Sequence, residues 1–336
     1  MIGLETVIAV ILLLSLTIYA LMAGADFGAG VWHFMGRGPT KSEQHRLISG
    51  AIGPIWEANH VWLILVVTIL FTAFPAAYAR MSTTLHIPLT LLLVGIILRG
   101  SAFAFRHYDV RTDELHLRWD QLFAFSSLIS PVLLGMTLGA MTAGDFPVNP
   151  DNFLEGYVYP WANAFPFAVG LFTLALFAYL AAVYLILETH NHVLQEIFRI
   201  RAIGAALIAG ILEEIVLLLG RTGAPRLWGE LTDSMWGGTV QMGVGGLTVA
   251  AIWLLIIRRY WWARACAMLQ VTLTIWAWGM AQYPYLVPPD ITIFNAAAPA
   301  ITLQLVLVAL VVGAILLFPS LLYLFRLFKS RSIFGE

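Results

Sequence analysis

Charge is what this sequence most lacks. Only 11% of its 336 residues are Asp, Glu, Lys or Arg, while 60% are hydrophobic. A soluble chain of this length needs a polar skin, and 37 charged residues cannot supply one. Cysteine is nearly absent as well. The single Cys266 excludes an intrachain disulfide and every multi-cysteine metal site. A net charge of −1 gives no electrostatic ground for a nucleic-acid partner. The opening residues MIGLE hold no lysine or arginine, so the first apolar segment reads as a retained signal anchor and not as a cleaved peptide. Missing too are the short alternating segments of a β-barrel.

What is present is a series of apolar stretches of about 20 residues, the length that crosses a hydrocarbon core of about 30 Å. The sequence therefore predicts an all-α polytopic membrane protein. Pro, Gly and charge clusters such as GRGPTKSEQHR divide it into nine transmembrane helices, over 4–32, 50–75, 82–105, 118–142, 164–187, 199–220, 235–257, 262–286 and 299–327. With the N-terminus outside and the C-terminus cytoplasmic, 14 of the 18 basic residues fall in cytoplasmic segments and three (Arg80, Arg221, Arg226) in outer loops. Short loops leave no room for a folded ectodomain, so function is expected within the bilayer.

Ionisable side chains inside the membrane cost about 2.5–3.5 kcal/mol each on insertion scales, so each needs a reason. At about 1.5 Å per residue, Asp26, Glu57 and Arg99 lie roughly 9–10 Å from the cytoplasmic face and Asp120 roughly 3 Å from it. Four consecutive spans thus carry a charge towards one leaflet. The structural reading is an ion pair in which Arg99 neutralises a carboxylate and pins the helices; Asp120, so near the surface, also reads as a helix-end residue. The functional reading is a proton route opening to the cytoplasm. Three acids with one arginine leave surplus negative charge, and burial favours the neutral form of a carboxyl, so one of them can bind and release protons. Asn59 and His60 extend the polar surface beside Glu57.

Glu213 and Glu214 are adjacent, point about 100° apart, and suit a structural role with one of them paired to Arg221. His60 lies about 15 Å from the inner face and His86 near the outer one, so the two do not share an iron. The chain is expected to ligate neither haem nor metal. Gly24 and Gly28 flank Asp26 in a small-xxx-small pattern, and Gly135 and Gly139 repeat it, which favours close helix contact.

These segments resemble subunit II of the cytochrome bd-type quinol oxidases over nearly the whole length. GADFGAG is similar to the family's acid-and-glycine motif closing helix 1. GPIWEANHVWLI followed by FTAFPAAYA resembles its helix-2 signature, RGSAFAFR its helix-3 end, and RWDQLFAF with SPVLLGMTLG its helix 4; YPYLVP is a less specific match. The resemblance implies two four-helix bundles plus one peripheral helix. The bundles fall at 1–143, which holds the acidic cluster, and at 164–290, with an outer loop at 144–163 and the ninth helix and cytoplasmic tail at 291–336.

It further implies a heterodimer in the bacterial inner membrane with a haem-carrying subunit I. That partner holds three haems, two b-type and one d-type or b-type, and the complex oxidises quinol and reduces O2 to water. Membrane lipids, a structural quinone or lipid within this subunit, and a small accessory subunit fit the same picture. Carried over by position, Glu57 and Asp26 are proton-path acids joined by Asp120, Asn59 and His60, while Trp56, Arg99 and Trp62 support the subunit contact. The chain departs from the family at Ala23, where many members carry a second acid, and in using Glu57 where they use aspartate. The rival from another class is a proton-coupled secondary transporter, which needs broken helices around a midplane site; a third reading is a scaffold whose charges serve assembly alone.

Overall fold

The computed structural model describes residues 3–52, 56–108, 113–147 and 149–333. The side chains of residues 52, 56, 57, 106–108, 113–117 and 324–333 lie outside that description, and so does the expected role of Glu57 and Trp56. The elements run α1 (Leu4–Phe34), α2 (Lys41–Ile52), α3 (Trp56–Ala73), α4 (Pro75–Thr84), α5 (His86–Tyr108), α6 (Asp113–Ala143), α7 (Phe153–Tyr157), α8 (Ala164–Leu187), α9 (His192–Gly223), α10 (Pro225–Thr232), α11 (Met235–Ile256), α12 (Tyr260–Gln282), a hairpin of β1 (Tyr285–Val287) and β2 (Ile291–Thr292), and α13 (Ala300–Ile333).

Among the described residues seven helices (α1, α5, α6, α8, α9, α11 and α13) are long and apolar enough to cross a membrane. The pair α3 and α4, bent by 117°, makes up to eight if it is one span. The bend falls where Pro75 opens α4, its fixed φ and missing N–H suiting a first helical turn. The remaining expected span, 262–286, corresponds to α12, whose 23 residues include Arg264 and Gln270 and are correspondingly less apolar.

Local sequence signals set the helix starts. Asn163, Asn191 and Ser234 each accept a hydrogen bond from an early backbone N–H of α8, α9 and α11. Within the helices, serine and threonine hydroxyls bond back to carbonyls four residues earlier, as Thr17 does to Leu13 and Thr137 to Leu133, which satisfies them without water.

At the centre lies α8, packed against α1, α6 and α9. Small residues permit the close approach. A Cβ added to Gly28 would collide with the carbonyl of Phe177 on α8, and one at Gly24 would stand 2.7 Å from the Phe177 ring. One at Gly135 of α6 would stand 2.7 Å from the Cα of Gly170 on α8. The glycine patterns therefore do what their spacing foretold. A buried hydrogen bond from Trp32 Nε1 to the carbonyl of Ala178, 2.8 Å long, locks α1 to α8. By contrast α13 packs against α3 and α1 and exposes apolar side chains such as Leu305, Val308, Ile315 and Leu316.

Candidate functional site

One face of α1 organises the polar interior. Tyr19, Asp26 and His33 are seven residues apart, which returns each to nearly the same side of the helix at intervals of about 10.5 Å. All three are buried. Facing them are His60 from α3, Arg99 from α5, and Asp120 and Ser127 from α6, and Asn59 and Trp62 lie beside His60 along α3.

The middle of the stripe is an ion pair. Arg99 Nη1 donates to Asp26 Oδ2 at 2.9 Å and Nη2 to Asp26 Oδ1 at 2.6 Å, a bidentate fork. Nη2 also reaches the Asp26 carbonyl at 3.1 Å, and Nε donates to Ser127 Oγ at 3.0 Å. Ser127 in turn donates to the carbonyl of Phe123 at 2.6 Å. Pro131 has no N–H to offer the carbonyl of Ser127, so the α6 ladder is interrupted at the residue that meets Arg99. The rings of Phe27 and Phe123 cover the guanidinium, 4.8 and 5.1 Å from it. Arg99 is 2% exposed and Asp26 4%, so two charges are buried together with their hydrogen-bonding capacity largely met. Of the carboxylates expected near Arg99, Asp26 is the one it holds among the described residues.

On one side of the clasp is a group of polar atoms with less company. The His60 ring lies 5.9 Å from Phe27 and 6.2 Å from Tyr19. His60 Nδ1, Asn59 Oδ1, Trp62 Nε1 and the Tyr19 hydroxyl are buried and have no hydrogen-bond partner among the described residues. Each such group costs about 1–3 kcal/mol unless water or another molecule meets it. Trp62 packs against Phe318 of α13, its ring centroid 6.1 Å away.

On the other side, at the end of α1, His33 Nε2 stands 3.4 Å from Asp120 Oδ1. His33 is 3% exposed and Asp120 partly so. The ring of His45, on α2, stacks on that of His33 with centroids 3.7 Å apart, and its Nε2 lies 3.1 Å from the His33 carbonyl. Arg201 of α9 anchors α2 by donating to Gln44 Oε1 at 2.9 Å. His33, His45 and Ser127 were not among the residues singled out from the sequence. The seven-residue spacing from Asp26 is the signal that points to His33.

Glu213 and Glu214 lie apart from this constellation. They border an apolar cavity of about 240 Å³ together with Tyr19, Phe177, Gln241 and Trp278. Among the described residues no ion pair joins either of them to Arg221, so the expected pairing is not seen.

The family model for cytochrome bd terminal oxidase subunit II matches residues 4–328. The chain belongs to that family. Among its relatives are a Bacillus subtilis cytochrome bd ubiquinol oxidase subunit 2, 33% identical over 155 residues, which are 45% of this chain and 43% of that protein. A putative cytochrome bd menaquinol oxidase subunit II from the same organism is 25% identical over 93% of this chain and 91% of its own length. The Escherichia coli cytochrome bd-I ubiquinol oxidase subunit 2 is 28% identical over 51% of this chain and 45% of that one. Two of these three matches thus span less than half of the relative. A bd oxidase structure from Geobacillus thermodenitrificans shares the fold, with a TM-score of 0.75 at 24% identity, covering 97% of this chain and 99% of that one.

Proposed function

We propose that this bd-family chain is the haem-free membrane subunit of a terminal oxidase that passes electrons from quinol to O2, forming water. It spans the membrane nine times, as two four-helix bundles and a peripheral helix, with the C-terminus in the cytoplasm. It assembles with a haem-carrying subunit I and conducts protons from the cytoplasm towards it. The match of the family model over residues 4–328 carries the assignment. The geometry supports the division of labour.

Because Arg99 is committed to Asp26, that pair serves the route as a fixed electrostatic element, and the carriers are the acids on either side. Asp120 with His33 forms the cytoplasmic mouth. Glu57 opens α3, the helix that carries Asn59 and His60, and their orphaned buried polar atoms call for a water thread past Tyr19. Trp56 and Trp62 support the contact with subunit I. A transporter of inverted repeats would show broken helices in matched pairs, whereas a single helix pair is bent among the described residues.

Glu57→Gln and Glu57→Ala in the assembled oxidase test the conduit. Quinol oxidase turnover should fall in both at unchanged haem content. Wild-type turnover in both would reduce this chain to a scaffold.

A further inference from the structure

The end of α1 carries a larger donor set than the conduit proposed above uses, since His45 joins His33 and Asp120 there. His33, His45 and Asp120 each present a ligating atom, and these atoms lie within 4.8 Å of one another. We propose that this cluster is a binding site for a divalent transition cation of the zinc class, held by two imidazoles and one carboxylate with a fourth position open to water.

Three observations carry this. First, the 3.4 Å separation of His33 Nε2 and Asp120 Oδ1 matches the edge of a tetrahedral zinc site, about 3.3 Å for bonds of about 2.0 Å. Second, His33 is 3% exposed, yet neither of its ring nitrogens makes a hydrogen bond among the described residues. A buried imidazole with open ring nitrogens and a carboxylate this near has the spacing that two ligands of one cation require.

Third, His45 has a backbone carbonyl partner of the kind ligating histidines use. Its Nε2 lies 3.1 Å from the His33 carbonyl, and donation there fixes the tautomer that carries its lone pair on Nδ1. Gly36 makes this possible, since a Cβ there would stand 2.9 Å from His45 Nε2. His33 and Asp120 are fixed by the bundle, while His45 rides on the short helix α2 and supplies the small closing movement that bonds of about 2.0 Å to all three require.

The test uses the purified oxidase complex, stripped with a chelator, equilibrated with zinc chloride and freed of excess metal. Zinc counted against haem should show one equivalent more in the wild type than in His45→Ala or Asp120→Asn. X-ray absorption at the zinc edge should show imidazole scattering that both variants lose. Equal zinc in wild type and His45→Ala overturns the proposal, and so does a wild-type spectrum without imidazole. If a variant fails to assemble, the wild-type spectrum alone decides. Turnover separates this site from the conduit: zinc held without inhibition keeps the site and removes Asp120 from the proton route, whereas slow turnover in Glu57→Gln with no zinc bound does the reverse.

Discussion

Arg99 shows how one side chain governs its surroundings. It meets a carboxylate, a backbone carbonyl, a hydroxyl and two aromatic faces, so nothing smaller or neutral can replace it alone. Arg99→Met leaves Asp26 as a buried unpaired charge, and a loss of about 3–5 kcal/mol is expected. It would be read as a lower thermal midpoint of the haem-bearing complex, or as its absence from membranes. The double variant Asp26→Leu with Arg99→Met should regain most of that stability, because both charges leave together. Turnover in the double variant then says what the pair is for. Recovery of stability with low turnover assigns the Asp26–Arg99 charges to proton movement; recovery of both assigns them to cohesion.

At the scale of the element, the same substitution has opposite signs on different helices. Gly28→Ala drives a methyl into the Phe177 carbonyl, and should cost about 1–3 kcal/mol by forcing α1 away from α8. Gly204→Ala on α9, where an added Cβ meets nothing within 4 Å, should be neutral or stabilising by up to about 1 kcal/mol. Thermal inactivation of the two variants side by side checks the pair. A close contact on α1 was legible because small residues spaced by four have one common use in a membrane; that its partner is α8 was not, since the spacing on one helix does not name the other.

That Arg99 meets a carboxylate was legible too, since counting residues from the helix ends sets it level with Asp26 and Glu57, but the count alone does not choose between them. His45 was not legible. Its return to His33 depends on the chain reversing between α1 and α2, through Gly36 and Gly38, the latter at φ +79°. No periodicity records that a connecting helix folds back onto the end it has just left. The hairpin of β1 and β2 was missed for a like reason, because Tyr285–Val287 continues the apolar composition of α12 and only its pairing with Ile291–Thr292 makes it a strand.

For the whole molecule, the uneven distribution of lysine and arginine leads to a further expectation. With 14 of 18 basic residues on one set of connections, a fluorescent reporter fused after Glu336 should light up in the cytoplasm, and a phosphatase active only outside should be silent there. The opposite pattern would invert the route proposed above. Composition settled the membrane class at once, because so little charge leaves no alternative. The number of crossings is harder to read, since α12 carries Arg264 over the ring of Tyr184, 4.8 Å away, and so hides its polar cost in a contact invisible along the chain.

The clasp on Asp26 also has a history in time. Its cation is 73 residues further along the chain. At about 5–20 residues per second, the ribosome delivers Asp26 about 4–15 s before Arg99 exists. For that interval the first helix carries a naked acid, and its settled depth in the bilayer must wait for the third long helix to arrive. Any pause in translation between the two would prolong the exposure, and a quality-control protease would find its target there.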